Sequence, residues 1–221
     1  MRSARHIGAM AAAKFITFEG GEGAGKSTQI GLLAEALAAA GIPVRTTREP
    51  GGNPGAEQIR ELLVTGAADR WDAMTEALLH FAARREHLRG VVRPSLEAGQ
   101  WVLSDRFADS TLAYQGYGHG LGRAAIERLY ALAVGDFAPD LTLILDVPVA
   151  LGLKRALGRR DGEDRYEGLG AEFHERLRQG FREIAEREPG RCAIIDARGE
   201  VASVQAAIRA CVAERLGVAL A

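Results

Sequence analysis

The chain has 221 residues, a formal net charge of −1 and 47% hydrophobic residues, which suits one α/β domain with room for a proper core. Near-neutrality argues against a nucleic-acid or membrane surface driven by bulk charge. No apolar run approaches the ~18 residues of a transmembrane helix, and the start carries Arg2 and Arg5 without an apolar h-region, so no signal peptide is expected and the cytoplasm is the default.

Residues 1–13 read as a disordered extension, with Met10 a second candidate start. Residues 14–19 form a β-branched and aromatic run that reads as a strand, and 27–40 carry Ile30, Leu33 and Leu37 at helical spacing. Residues 42–47 read as a second strand, followed by the breaker-rich 49–55. Helical patterns cover 56–64 and 72–92; 101–104 and 141–145 read as strands; Ile194-Ile195 marks a short fifth, and 201–216 a closing helix. Apolar strands separated by helices imply a parallel sheet covered on both faces. The expected fold is a P-loop NTPase-type three-layer α/β/α domain over 14–221, with a five-stranded parallel sheet and ligands at the carboxyl ends of its strands. Residues 158–165 are too charged and glycine-rich to pack, and predict a mobile flap over about 158–170. Cys192 and Cys211 are the only cysteines and read as buried thiols, neither a disulfide framework nor a zinc site.

Between the first strand and helix, Gly20-Gly21-Glu22-Gly23-Ala24-Gly25-Lys26-Ser27 fits the pattern G-x-x-x-x-G-K-[ST]. Glycines let a loop wrap a phosphate closely, and free amides of the following helix point at its oxygens. Lys26, one of 3 lysines against 25 arginines, adds a point charge between β- and γ-phosphates, and the Ser27 hydroxyl can ligate Mg²⁺. The pattern points to a bound nucleoside triphosphate.

A P-loop enzyme needs a second Mg²⁺-organising carboxylate at a strand end. Asp105 and Asp146 each follow a predicted strand. Asp105 is preferred, because Arg106 beside it offers a guanidinium to a phosphate, whereas Val147-Pro148 after Asp146 reads as a turn. A surface ion pair is the bland alternative for Asp105-Arg106. Phe81, Arg84 and Arg85 lie in one helical pattern, and residues four apart share a face. Phe81 with Arg85 therefore sets a flat aromatic beside a planar donor fork, suited to a nucleobase and its carbonyl edge. The alternative is a core phenylalanine beside a solvated arginine.

Five blocks occur in order from about 14 to 216: residues 18–28, Thr47-Arg48-Glu49-Pro50-Gly51-Gly52, Phe81-Ala82-Ala83-Arg84-Arg85-Glu86-His87, residues 105–116, and Asp164-Arg165-Tyr166-Glu167. Together they resemble the bacterial thymidylate kinases. The resemblance implies transfer of the ATP γ-phosphoryl group to dTMP with Mg²⁺, giving dTDP and ADP for dTTP biosynthesis, in a homodimer joined through helices. It implies an ATP-binding loop of Gly20, Gly21, Glu22, Gly23, Ala24, Gly25, Lys26, Ser27 and Thr28, with Ser27 and Asp105 on the metal. Phe81 would stack on thymine and Arg85 would bond its O4 edge. Thr111 would face the rest of that edge, and Gln115 joins the substrate-binding residues. Tyr114 would crowd the place of a ribose 2′-hydroxyl, Glu22 would reach the sugar 3′-hydroxyl, and Arg106 and Arg48 would hold the acceptor phosphate.

Some relatives carry an arginine in the loop at the position of Gly23. This chain cannot supply that charge there, so the flap's Arg159, Arg160 and Arg165 become the catalytic candidates beside Lys26 and Arg106; spacing does not choose among them. The nearest rival is a P-loop kinase with another acceptor. A GTPase switch is a different class, but the chain has no Asn-Lys-x-Asp motif and offers two nucleotide-sized sets of features where a switch needs one.

Overall fold

The computed structural model describes residues 12–67, 69–157 and 169–220. Strand β1 (Phe15–Glu19) is buried along its whole length. With β2 (Val44–Arg48), β3 (Trp101–Asp105), β4 (Leu141–Asp146) and β5 (Cys192–Asp196) it forms one sheet, ordered β2-β3-β1-β4-β5, with every pairing parallel. The helices are α1 (Lys26–Ala39), α2 (Pro54–Val64), α3 (Ala73–His87), α4 (Arg93–Glu97), α5 (Ala108–Thr111), α6 (Arg123–Ala133), α7 (Val149–Ala156), α8 (Ala171–Arg187) and α9 (Val201–Leu216). Successive strand residues face opposite sides of a sheet. Phe15 therefore enters a core with Phe81, Phe107 and Phe181, under α3, α6 and α8. Ile16 and Phe18 enter a second core with Leu33, Leu37 and Ile208, under α1 and α9. The expected three-layer P-loop architecture is what forms, and burial on both faces explains the near-continuous apolar runs of β1 and β4.

The single helix expected over 72–92 is instead α3 and a π-helical segment Leu88–Val92, and α4 continues beyond the expected end. A second π-helical segment, Leu112–Gly118, continues α5 and carries Tyr114 and Gln115. A π turn takes an extra residue per turn and so breaks the period of about 3.6 that marks a helix in sequence. The sequence reading did not delimit α5 to α8. The extension expected over 1–13 falls mostly outside the described residues, though Ala13 packs against the second core. The flap lies outside them up to residue 168. Among the described residues no helix is long and apolar enough to cross a membrane. Cys192 is buried and Cys211 half-buried, and both are free thiols.

Candidate active site

The loop after β1 takes a shape that only glycine tolerates at two points. Gly20 has φ +131°, and a Cβ there would lie 2.5 Å from the Leu145 carbonyl oxygen; Gly23 has φ +65°, and a Cβ would lie 1.9 Å from that of Gly152. Gly23 is therefore fixed by backbone conformation and by α7 packed against it, which gives a structural reason why no arginine stands there. The Lys26 ammonium donates to the Gly20 and Gly21 carbonyls at 3.1 and 3.2 Å. Burial lowers the pKa of Lys26, reinforced by Arg106 and opposed by Asp105, Glu22 and Glu19.

Beside this loop β3 ends at Asp105, and Arg106 follows with φ +68°, the one left-handed non-glycine residue among those described. Such strain persists where surrounding contacts over-determine it. Here the Arg106 amide donates to Phe18 at 2.9 Å, while Nη1 donates to Ser110 Oγ at 3.1 Å and to the Gly20 carbonyl at 3.3 Å. Nη2 pairs with Glu22 at 3.0 Å, and the guanidinium lies 4.9 Å from the Tyr114 ring centre. Tyr114 also donates its hydroxyl to Glu22. Burial would raise the Glu22 carboxyl, but Arg106, Lys26 and the Tyr114 hydroxyl outweigh it and hold the pKa at about 2. Burial opposes the Arg106 charge, yet Tyr114, Glu22, Asp105 and Glu19 raise its pKa above the ordinary value.

A cavity of about 390 Å³ opens between these elements. Its wall includes Glu22, Gly23, Ala24, Gly25, Lys26 and Ser27 from the loop, Arg48 at the end of the edge strand β2, Asp105, Arg106 and Ser110 from the end of β3 onward, and Thr111, Tyr114 and Gln115. Gly20 and Gly21 line a smaller neighbouring cleft, and Thr28 lines neither. Asp146, the rival carboxylate, is gripped by Arg178 at 2.7 and 3.0 Å. Asp105 instead shares the cavity with the Ser27 hydroxyl, and a hydroxyl beside a carboxylate is a donor set that suits Mg²⁺.

The structure corrects one expectation. Neither Phe81 nor Arg85 lines the cavity; His80 and Arg84 do. Phe81 is buried in the core, edge-on to Tyr130, and Arg85 is exposed and donates to the Ala133 carbonyl at 3.1 Å. Successive residues on a helix stand about 100° apart, so an error of one position carries the pair off the cavity face. Arg84 is held by Glu49 Oε2 at 2.8 Å, the Phe107 carbonyl at 2.9 Å and Thr111 Oγ1 at 3.1 Å, which leaves Nη1 without a hydrogen-bond partner. Gln115 donates Nε2 to Glu76 at 3.1 Å, and its Oε1 is likewise without a partner.

A sequence model described as thymidylate kinase matches residues 18–208. The chain is 58% identical over 204 residues to a thymidylate kinase of Caulobacter vibrioides, covering 92% of this chain and 98% of that one. A thymidylate kinase of Afipia carboxidovorans is 52% identical, with coverage of 94% and 92%. The chain belongs to the thymidylate kinase family. The crystal structure of the Ehrlichia chaffeensis thymidylate kinase superposes with a TM-score of 0.74 at 36% identity, covering 91% of this chain and 99% of that one. Members are P-loop kinases that use ATP to phosphorylate dTMP, and the fold and loop described above are those of the family.

Several cavity residues carry no role in the sequence reading: His80, Arg84, Arg60, Glu49, Phe107 and Ser110. His80 and Arg84 share the four-residue spacing that selected Phe81 and Arg85, and a polar residue repeated at that spacing was the available signal. Arg60, whose Nη1 donates to the Pro50 carbonyl at 2.7 Å, gave none, since one arginine on an amphipathic helix reads as solvated. Arg159, Arg160 and Arg165 lie outside the described residues.

Proposed function

We propose that the cavity holds dTMP, with ATP phosphates on the loop at the start of α1, and that the γ-phosphoryl group passes between them. The observation that carries the acceptor assignment is that Arg84 and Gln115 both line the cavity while each keeps one buried polar atom, the donor Nη1 and the acceptor Oε1, without a hydrogen-bond partner. A thymine edge presents an N–H beside a carbonyl, complementary to that pair; cytosine presents the reverse order. Unmet polar groups discriminate strongly against a ligand that cannot pair them. His80, four residues before Arg84 on the cavity face, takes the stacking role expected of Phe81. Thr111 supports Arg84, and Tyr114 with Glu22 borders the sugar.

Arg106, with Arg48 and Arg60, binds the acceptor phosphate and aims one of its oxygens at the γ-phosphorus. That oxygen forms the new P–O bond as the bond to the ADP oxygen breaks. Charge spreads over the equatorial oxygens, where Lys26 and the α1 amides neutralise it. Ser27 and Asp105 would hold Mg²⁺, which would supply positive charge to offset that of the donor phosphates. One or more of Arg159, Arg160 and Arg165 would complete the cationic shell, and single-turnover kinetics on three alanine variants would decide which. Residues 14–221 act as one domain in the cytoplasm. Exposed Leu62 on α2 and Met74 and Leu78 on α3 support pairing of two copies through helices.

The test is ADP release at fixed ATP across dTMP, dUMP, dCMP, dGMP and AMP. We expect dTMP first, dUMP second and dCMP far behind. Equal rates for dCMP and dTMP would remove the base-edge assignment, and hydrolysis without any acceptor would favour a switch.

A further inference from the structure

The contact that orients Arg84 is itself held from behind. Glu49, just past β2, is buried and uses its two oxygens on different partners: Oε2 accepts from Arg84 Nε at 2.8 Å, and Oε1 faces His87 Nδ1 at 2.8 Å. His87 Nε2 lies 2.7 Å from Thr47 Oγ1. A chain of contacts therefore runs Thr47–His87–Glu49–Arg84 from the edge strand to the cavity wall, buried from His87 onward. His87 is fully buried and does not line the cavity. Gly52 closes over it, since a Cβ there would lie 2.7 Å from both the His87 ring and Thr47 Oγ1.

The geometry has a consequence for recognition. A carboxylate facing an arginine prefers a two-point grip on the guanidinium fork. Glu49 is kept from that grip because His87 holds its other oxygen. Released, it would swing onto a second guanidinium nitrogen and turn the plane away from Phe107 and Thr111. We propose that His87 is a positioning residue for acceptor recognition, holding Glu49 in the orientation that fixes the Arg84 plane against the base of dTMP. This rests on Arg84 as a base contact, as assigned above.

The test compares His87→Asn with His87→Gln in steady-state kinetics on the full chain, reading KM for dTMP and ATP separately. The asparagine amide nitrogen replaces Nδ1 and keeps the donor to Glu49; the glutamine nitrogen reaches only the Nε2 position and keeps Thr47. We expect His87→Asn to stay near the parent. His87→Gln should raise the dTMP KM on the order of tenfold, the loss attached to a misdirected hydrogen bond to a charged group, with the ATP KM unchanged. Equal behaviour of the two variants, a reversed order, or parallel rises in both KM values would overturn the proposal, because packing alone does not tell one amide position from the other. Arg84→Met runs beside them. Should it leave the dTMP KM unaltered, the base contact itself is wrong; should it raise that KM while the His87 pair stays equal, only the relay is wrong.

Discussion

The loop from Gly20 to Ser27 and the cavity face of α3 meet at one cavity, yet only the loop writes its backbone geometry into the sequence. Gly20 and Gly23 are dictated by backbone angles and by carbonyls that leave no room for a Cβ. A motif of that kind carries its own geometry. On α3, by contrast, His80, Phe81, Arg84 and Arg85 all satisfy a helical pattern, and the choice between two faces is made by tertiary packing. Motifs written in backbone conformation survive translation into sequence; a helix phase does not.

The sharpest way to break the loop half of this contrast is Lys26→Ala. Among the described residues its ammonium donates only to carbonyls of its own loop, so the fold should persist. Removing a charge aimed at the transferring group is expected to lower kcat about 10²- to 10³-fold. Turnover near the parent value in a folded variant would remove the loop from the mechanism.

The helix half is tested by neighbours with opposite fates. Arg84→Met strips the cavity of a buried guanidinium and leaves Glu49 facing an apolar side chain, and the dTMP KM should rise by about 10- to 150-fold. Arg85→Met removes an exposed side chain held to one carbonyl, and both KM values should stay within about twofold. The reverse ranking, measured in the same assay, would restore the face read from sequence.

A smaller effect separates His80 from Phe81. His80→Ala should weaken dTMP binding about 5- to 150-fold if the ring stacks on the base, toward the low end for an imidazole, and should spare ATP. Phe81→Ala instead empties part of the core beside Tyr130 and should cost about 3–5 kcal/mol of stability, visible as a lower Tm. A selective loss of dTMP affinity in Phe81→Ala without destabilisation would contradict the packing described here.

Those variants also mark how far the sequence could be read. The strand and helix alternation, the loop, and the position of Asp105 and Arg106 at a strand end were legible because each sits where chain direction and backbone geometry leave few alternatives. Strand order was not written locally, since β3 intervenes between β1 and β2 only through long-range pairing. The turns at 88–92 and 112–118 hid because their extra residue erases the period by which helices are recognised. Arg84 fits the same helical pattern as Arg85: what sets it apart is its partners Glu49, Phe107 and Thr111, which come from other parts of the chain.

The smallest effect concerns what anchors the loop to the end of β3. Glu19 is fully buried directly before Gly20, where its carboxyl oxygens accept from the Phe107 amide at 2.8 Å and the Ser110 hydroxyl at 2.5 Å. Burial, aided by the nearby Asp109 charge, raises its pKa to about 8, although Ser110, Arg106 and the Phe107 amide work the other way. The folded protein thus retains a proton that the unfolded chain, with an ordinary value of 4.5, releases at lower pH. Its contribution to stability is full below that ordinary value and is lost progressively as pH rises to about 8. Glu19→Gln keeps the size and removes the titration. Between pH 6 and pH 9 the parent Tm should therefore fall by more than that of Glu19→Gln. Parallel Tm profiles would mean that Glu19 is already ionised at pH 6, with Arg106 rather than a proton balancing its charge.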